Sequence, residues 1–148
     1  LGGAMAALFL LSVANDPEHR AIAERLRAVY TFGQPLAVGE LSVATRQAAP
    51  RLFRHALAHD IVPCLPTQRW GRLVHFGREY LCEEGNWRET RTPLAQLKGT
   101  REVSRSVMAY LGVARSRAPR YTLSNHGPHH YMDALALRGA ITELGDRG

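Results

Sequence analysis

The sequence predicts an α/β fold, with a mostly parallel sheet flanked by helices and residues 1–148 forming a single domain. Two observations carry that prediction. Short β-branched and aromatic runs alternate with stretches of helical periodicity, which is the order of a parallel sheet with crossover helices. The first 14 residues, Leu1 to Ala14, are apolar almost all round, the composition of a helix packed against a sheet and buried on all sides. At 148 residues and 45% hydrophobic, the chain has enough apolar content for a core of its own.

The elements follow in order. Asp16 reads as an N-cap, Pro17 as the first helical residue and Glu18 as first-turn acid of a helix running to Arg25. Ala28 to Phe32 is a buried strand ending in a sharp turn at Gly33-Gln-Pro35. Gly39 to Ala49 reads as helix, closed by Pro50. Leu52 to Leu57 is the second strand, and it runs into a loop stiffened by Pro63 and Pro66. Leu73–Phe76 and Arg78–Cys82 read as one strand bent at Gly77. Glu83 to Asn86 is a turn, and Trp87 to Thr92 a further strand or extended loop. Thr100 to Val113 is helical, with Val103, Val107, Tyr110 and Leu111 at the right spacing. A polar connection, 114–125, leads to a short helix from Pro128 to Leu137 beside the core, and the tail after Gly139 frays.

The net charge is +6, and 18 of the 19 basic residues are arginine. They are spread along the chain with no block of like charge, which favours a generally basic surface over a nucleic-acid-binding patch. Two cysteines, Cys64 and Cys82, make no disulfide framework and show no zinc spacing, although one bridge between them is open. The apolar start is too short for a membrane span and has no basic residue before it, as a signal peptide would.

Three segments could carry chemistry. Leu1-Gly2-Gly3 opens a helix with small residues, as at a turn where strand and helix approach too closely for a Cβ, or simply as an ordinary small-residue helix start. Asp60 follows a strand end, the place where open α/β sheets keep their functional groups. It could fix a histidine by accepting its Nδ1–H, or simply cap its own turn. His126 lies in a loop before the last helix and suits a general base. His129 and His130 stand beside it, but adjacent helical residues diverge by about 100°, so a shared metal ion is not expected.

Read together, these pieces resemble the C-terminal half of a class 3 (fungal-type) triacylglycerol lipase. The resemblance rests on Leu1-Gly-Gly-Ala-Met-Ala-Ala-Leu8, Tyr30-Thr-Phe-Gly-Gln-Pro35, His59-Asp-Ile-Val-Pro-Cys-Leu-Pro66, His75-Phe-Gly-Arg-Glu79 and His126 through Tyr131, in the family's order across nearly the whole chain. It implies a partial α/β-hydrolase fold, cut at the nucleophile elbow, with residues 1–148 as the C-terminal part of one domain. It implies hydrolysis of lipid esters at a lipid–water interface through a Ser-Asp-His triad, with no cofactor, no metal, no nucleic acid and no transmembrane segment. Asp60 matches the family's catalytic acid and His126 its catalytic histidine. Leu1 would follow the nucleophilic serine and offer its backbone N–H to the oxyanion. Val62, Pro63 and Leu65, beside the acid, are candidates for the acyl-chain wall or plain loop packing. Asn125 stands where the family has Asp, and Pro35-Leu-Ala-Val-Gly39 is one residue longer than the family's turn and lacks its arginine. The Gly-His-Ser that would precede Leu1 is not in the sequence, and Ser12 is no substitute at roughly 17 Å along the helix. The 148 residues alone are therefore expected to be inactive and poorly soluble. The alternative is a non-catalytic module of the same fold that binds lipid or protein.

Overall fold

The computed structural model describes residues 1–113 and 119–137. Five α-helices and four strands are placed among them: α1 (Gly2–Asn15), α2 (Arg20–Arg25), β1 (Val29–Phe32), α3 (Val43–Ala48), β2 (Leu52–Leu57), β3 (Arg78–Glu83), β4 (Asn86–Thr90), α4 (Arg101–Tyr110) and α5 (Pro128–Leu137). The sheet order is β1-β2-β3-β4. The first three strands are parallel and β4 returns antiparallel. Glu84 and Gly85 both have positive φ (52° and 77°), as a two-residue hairpin turn between β3 and β4 requires.

One face of the sheet carries α1 and α3. Ala7 and Leu10 of α1, Ala48 of α3, Leu52 of β2 and Phe76 form the core there. The other face is aromatic. Tyr30, Phe53 and Tyr80 stack across β1, β2 and β3, with ring centroids 5.2 and 6.2 Å apart. His55 lies among Phe32, Tyr80 and Trp87. Helix α5 crosses this face, fastened by the Trp87 Nε1–H donated to the Ala134 carbonyl at 3.1 Å.

The centre of the sheet also holds an ion pair. Arg54 of β2 donates to Glu79 of β3 at 2.8 Å and to the Phe76 carbonyl, and both side chains are almost wholly buried. The other Glu79 oxygen accepts the Leu94 N–H. Burial pushes the Arg54 guanidinium down from its ordinary value, against the pull of Glu79.

Several expectations are corrected. Helix α1 is not buried on all sides: Ala7, Leu10 and Val13 face the core, whereas Leu1, Met5, Leu8 and Phe9 are exposed. Its apolar character runs round the helix, but the sheet and α3 cover only one stripe of it. Helix α3 begins at Val43, not Gly39, because Ser42 caps it by accepting the Thr45 N–H. Before that cap, Val38 bridges to Val74. Pro50 lies inside a 3-10 turn, Ala49–Arg51, that leads straight into β2. Leu73–Phe76 does not join the third strand. Gly77 has φ 82°, and a Cβ there would lie 2.7 Å from the Leu52 carbonyl, so the chain turns before β3. In α4, Val103 and Val107 are half-buried but Tyr110 and Leu111 are exposed, and the buried residue is Ser106. Both cysteines are buried free thiols. The tail after Gly139 lies outside the described residues, as does 114–118 of the polar connection. No helix among the described residues is long and apolar enough to cross a membrane.

Candidate functional site

The carboxyl ends of β1 and β2 are neighbours in the parallel register, so the loops leaving them meet. After β2, the chain turns at His59-Asp60. The Val62 N–H closes the turn onto Asp60 Oδ1 at 2.8 Å, and a 3-10 turn follows over Val62–Cys64. The segment around Thr122 is strapped to this turn through the Thr122 N–H to the His59 carbonyl (2.8 Å) and the Ile61 N–H to the Thr122 carbonyl (3.4 Å). Four residues later, in a 3-10 turn over Ser124–His126, the imidazole arrives at the same point.

His126 Nδ1–H donates to Asp60 Oδ2 at 2.9 Å across 66 residues of sequence. The Asp60 side chain is 0% exposed and that of His126 36%. One carboxylate oxygen therefore caps the turn while the other holds the imidazole: the two readings of Asp60 hold together. Tyr131 of α5 completes the arrangement, donating its O–H to Asp60 Oδ2 at 2.6 Å and accepting the Leu57 N–H at 3.3 Å. Burial and the adjacent carboxylate push the Tyr131 phenol well above its ordinary pKa, so it remains a donor. In the sequence Tyr131 stands only at the end of the His126–Tyr131 stretch, and nothing local there points to a partner 71 residues away.

Gly33, just after β1, is the second residue that the pattern underread. Its φ is +59°, and a Cβ there would come within 2.6 Å of His126 Cε1 and 2.9 Å of Asp60 Oδ2. It is glycine because the pair occupies the space a side chain would need. The next residue, Gln34, packs on the opening of α1: a Cβ on Gly3 would lie 3.1 Å from Gln34 Cβ. Gln34 is itself held by the buried Thr31 hydroxyl, 2.8 Å from its Oε1. The start of α1, with Leu1 at its N-cap, thus borders the turn that faces His126.

Beside His126 opens an apolar cavity of about 300 Å³, lined by Phe32, Pro128, Tyr131, Met132 and Leu135 as well as the imidazole. Val62, Pro63 and Leu65 do not line it; Pro63 is buried, and Val62 and Leu65 are half-buried in their own turn. The apolar lining of this cavity comes from the end of β1, from Pro128 and from the rest of α5. His75 braces the Asp60 loop from behind, its Nε2–H on the Pro63 carbonyl at 2.8 Å, and burial pushes its pKa down to about 3. Cys64 is buried, and burial pushes its thiol up to about 11. Among the described residues no three His, Cys, Asp or Glu are grouped to hold a metal ion.

Residues 1–70 match the profile of the family described as lipase (class 3). A stretch of 85 residues is 45% identical to the protein named triacylglycerol lipase OBL1 from Arabidopsis thaliana, covering 52% of this chain and 16% of that protein. The chain thus matches about one-sixth of the length of this relative. The family match contains Leu1–Gly3, Gly33 and Asp60; His126 lies beyond it and is joined to it by the contact with Asp60.

Proposed function

We propose that this chain, which is of the class 3 lipase type, supplies the acid and base of an α/β-hydrolase that cleaves lipid esters. The observation that carries the reading is the 2.9 Å contact between buried Asp60 and part-exposed His126, at the carboxyl end of the sheet and beside an apolar cavity. With Nδ1–H given to Asp60, the neutral imidazole offers Nε2 as a base. A serine hydroxyl presented at the amino end of α1 would lose its proton to His126 while attacking the acyl carbonyl. The same proton then goes to the departing alcohol, and water removes the acyl group by the reverse route. Asp60 holds the tautomer and stabilises the imidazolium, and Tyr131 holds Asp60. The Leu1 N–H is one donor to the oxyanion, where such a donor is worth roughly 3 kcal/mol. On this reading the nucleophile is the residue that precedes Leu1. Phe32, Met132 and Leu135 border the cavity next to the imidazole and take the apolar part of the substrate; Val62, Pro63 and Leu65, beside the acid, remain candidates for the same wall.

The test is the codon before Leu1 in the gene, together with fluorophosphonate labelling of the full-length product. Serine at that position, labelled only when His126 is intact, supports the reading. Alanine or glycine there, with no labelling, favours the non-catalytic lipid- or protein-binding module.

A further inference from the structure

Trp70 is 82% exposed, although it stands on a well-braced loop. It ends a 3-10 turn, Gln68–Trp70, whose surroundings are held from one side by the segment around Gln96. The Gln96 carboxamide donates to the carbonyls of Pro66 and Gly71, both at 2.9 Å, and accepts the Leu73 N–H at 3.0 Å. Leu97 adds two backbone bonds, accepting from Gln68 at 2.8 Å and donating to the Cys64 carbonyl at 3.1 Å. An indole held out in water by a fixed backbone has an amphipathic ring free to enter an interface.

The charge within its own loop and the segment that braces it is of one sign. The two segments joined by these bonds, 64–73 and 91–101, contain Arg69, Arg72, Arg91, Lys98 and Arg101 and no Asp or Glu. Arg69, Arg72 and Lys98 are exposed, and none of the five is in an ion pair among the described residues. A projecting tryptophan with exposed, unpaired cations on either side of it in the chain and on the segment bonded to its loop is complementary to a surface that is apolar beneath and anionic on top.

We propose that Trp70, with Arg69 and Arg72 beside it in the chain and Lys98 on the bracing segment, is a docking point for an anionic lipid surface. The proposal takes its choice of partner from the lipid-ester reading above, but it requires no catalysis. Cation contacts hold the loop against the headgroups, and the indole inserts at the level of the acyl boundary.

The experiment uses vesicles of ether-linked phosphatidylcholine, alone or mixed equally with ether-linked phosphatidylglycerol, so that no ester can be cleaved. Cosedimentation of the protein should be at least about tenfold stronger on the mixed vesicles and should weaken as salt is raised. Trp70→Ala should lower binding about tenfold. Arg69→Gln with Arg72→Gln should remove much of the salt dependence. Emission assigned to Trp70, as the difference between wild type and Trp70→Phe, should move to shorter wavelength on binding. The other tryptophan, Trp87, is held by Ala134 and should not move. Unchanged binding by Trp70→Ala overturns the proposal, as does absence of binding to mixed vesicles. A Trp70-dependent dimer formed without vesicles also overturns it, since the loop then docks a second copy. Intact, Trp70-dependent vesicle binding in a protein with no esterase activity supports docking while refuting the catalytic reading; an active esterase that ignores these vesicles does the reverse.

Discussion

Replacing Gly33 by alanine would place a Cβ 2.6 Å from His126 Cε1 and 2.7 Å from its Nδ1. Ordinary contact begins near 3.4 Å, so the imidazole would have to retreat by about 0.8 Å. The contact to Asp60, now 2.9 Å, would then stretch beyond hydrogen-bonding reach or the β1 turn would open. The left-handed backbone at φ +59° adds a further cost of about 1–2 kcal/mol for any side chain. A total of about 2–3 kcal/mol follows, or roughly 4–12 °C in midpoint for a chain of this size. Thermal and urea unfolding would measure the first effect. Proton NMR of the His126 Nδ1–H, strongly shifted while it is bonded to a carboxylate, would measure the second. In a full-length product that cleaves esters, a displacement of this size should cost about a hundredfold in kcat. A Gly33→Ala protein with unchanged midpoint and an unchanged Nδ1–H resonance would refute the reasoning, because the space between β1 and the pair would then not be filled as described.

Three further outcomes are expected. Tyr131→Phe removes the 2.6 Å bond to Asp60 and strands the Leu57 N–H, so urea unfolding should show a loss of about 1.5–3 kcal/mol with the fold retained. Arg54→Met leaves Glu79 charged and buried without its partner and should cost about 3–5 kcal/mol, whereas adding Glu79→Leu should restore much of that, a reversal that equilibrium denaturation of the double variant would reveal. His55 is buried among aromatic rings, and burial holds its pKa down to about 4. It is neutral in the folded protein and takes up a proton on unfolding below about pH 6.5, so stability should fall as pH drops from 6.5 to 4, by roughly 3 kcal/mol in all. His55→Phe should remove that share of the acid-denaturation curve, while His75, held down to about 3, still adds a fall of its own from pH 6.5 to about 3.

Local features of the sequence were read well. The Val29–Phe32 and Leu52–Leu57 strands follow from compact β-branched and aromatic runs, and α5 from a proline at its first position. Asp60 and His126 were legible because each follows its own local signal, a strand end and a pre-helical loop. What was lost depends on contacts between distant segments. Leu52-Phe-Arg-His-Ala-Leu57 reads as a strand, but nothing in it says that Arg54 and His55 both go inside on opposite faces, one to Glu79 and the other to the aromatic face. Met5, Leu8 and Phe9 are as apolar as Leu10, and only the placement of the sheet decides which of them it covers. The residues next to Asp60 in sequence are natural candidates for an apolar wall, and nothing local says that β1 and α5 also bring Phe32, Met132 and Leu135 to a cavity beside the imidazole. Tyr131 reached the site for the same reason, carried by a helix whose own periodicity already accounted for it.

Whether Asp60 and His126 form the working half of a triad is decided most directly by steady-state ester hydrolysis with the full-length product and its Asp60→Asn, His126→Ala and double variants. The account predicts that each single change lowers kcat by roughly 10³–10⁴, and that the double change is scarcely worse than His126→Ala alone, because the two side chains act as one unit. Retention of most activity in His126→Ala, with the loss falling on His129→Ala or His130→Ala, would contradict it.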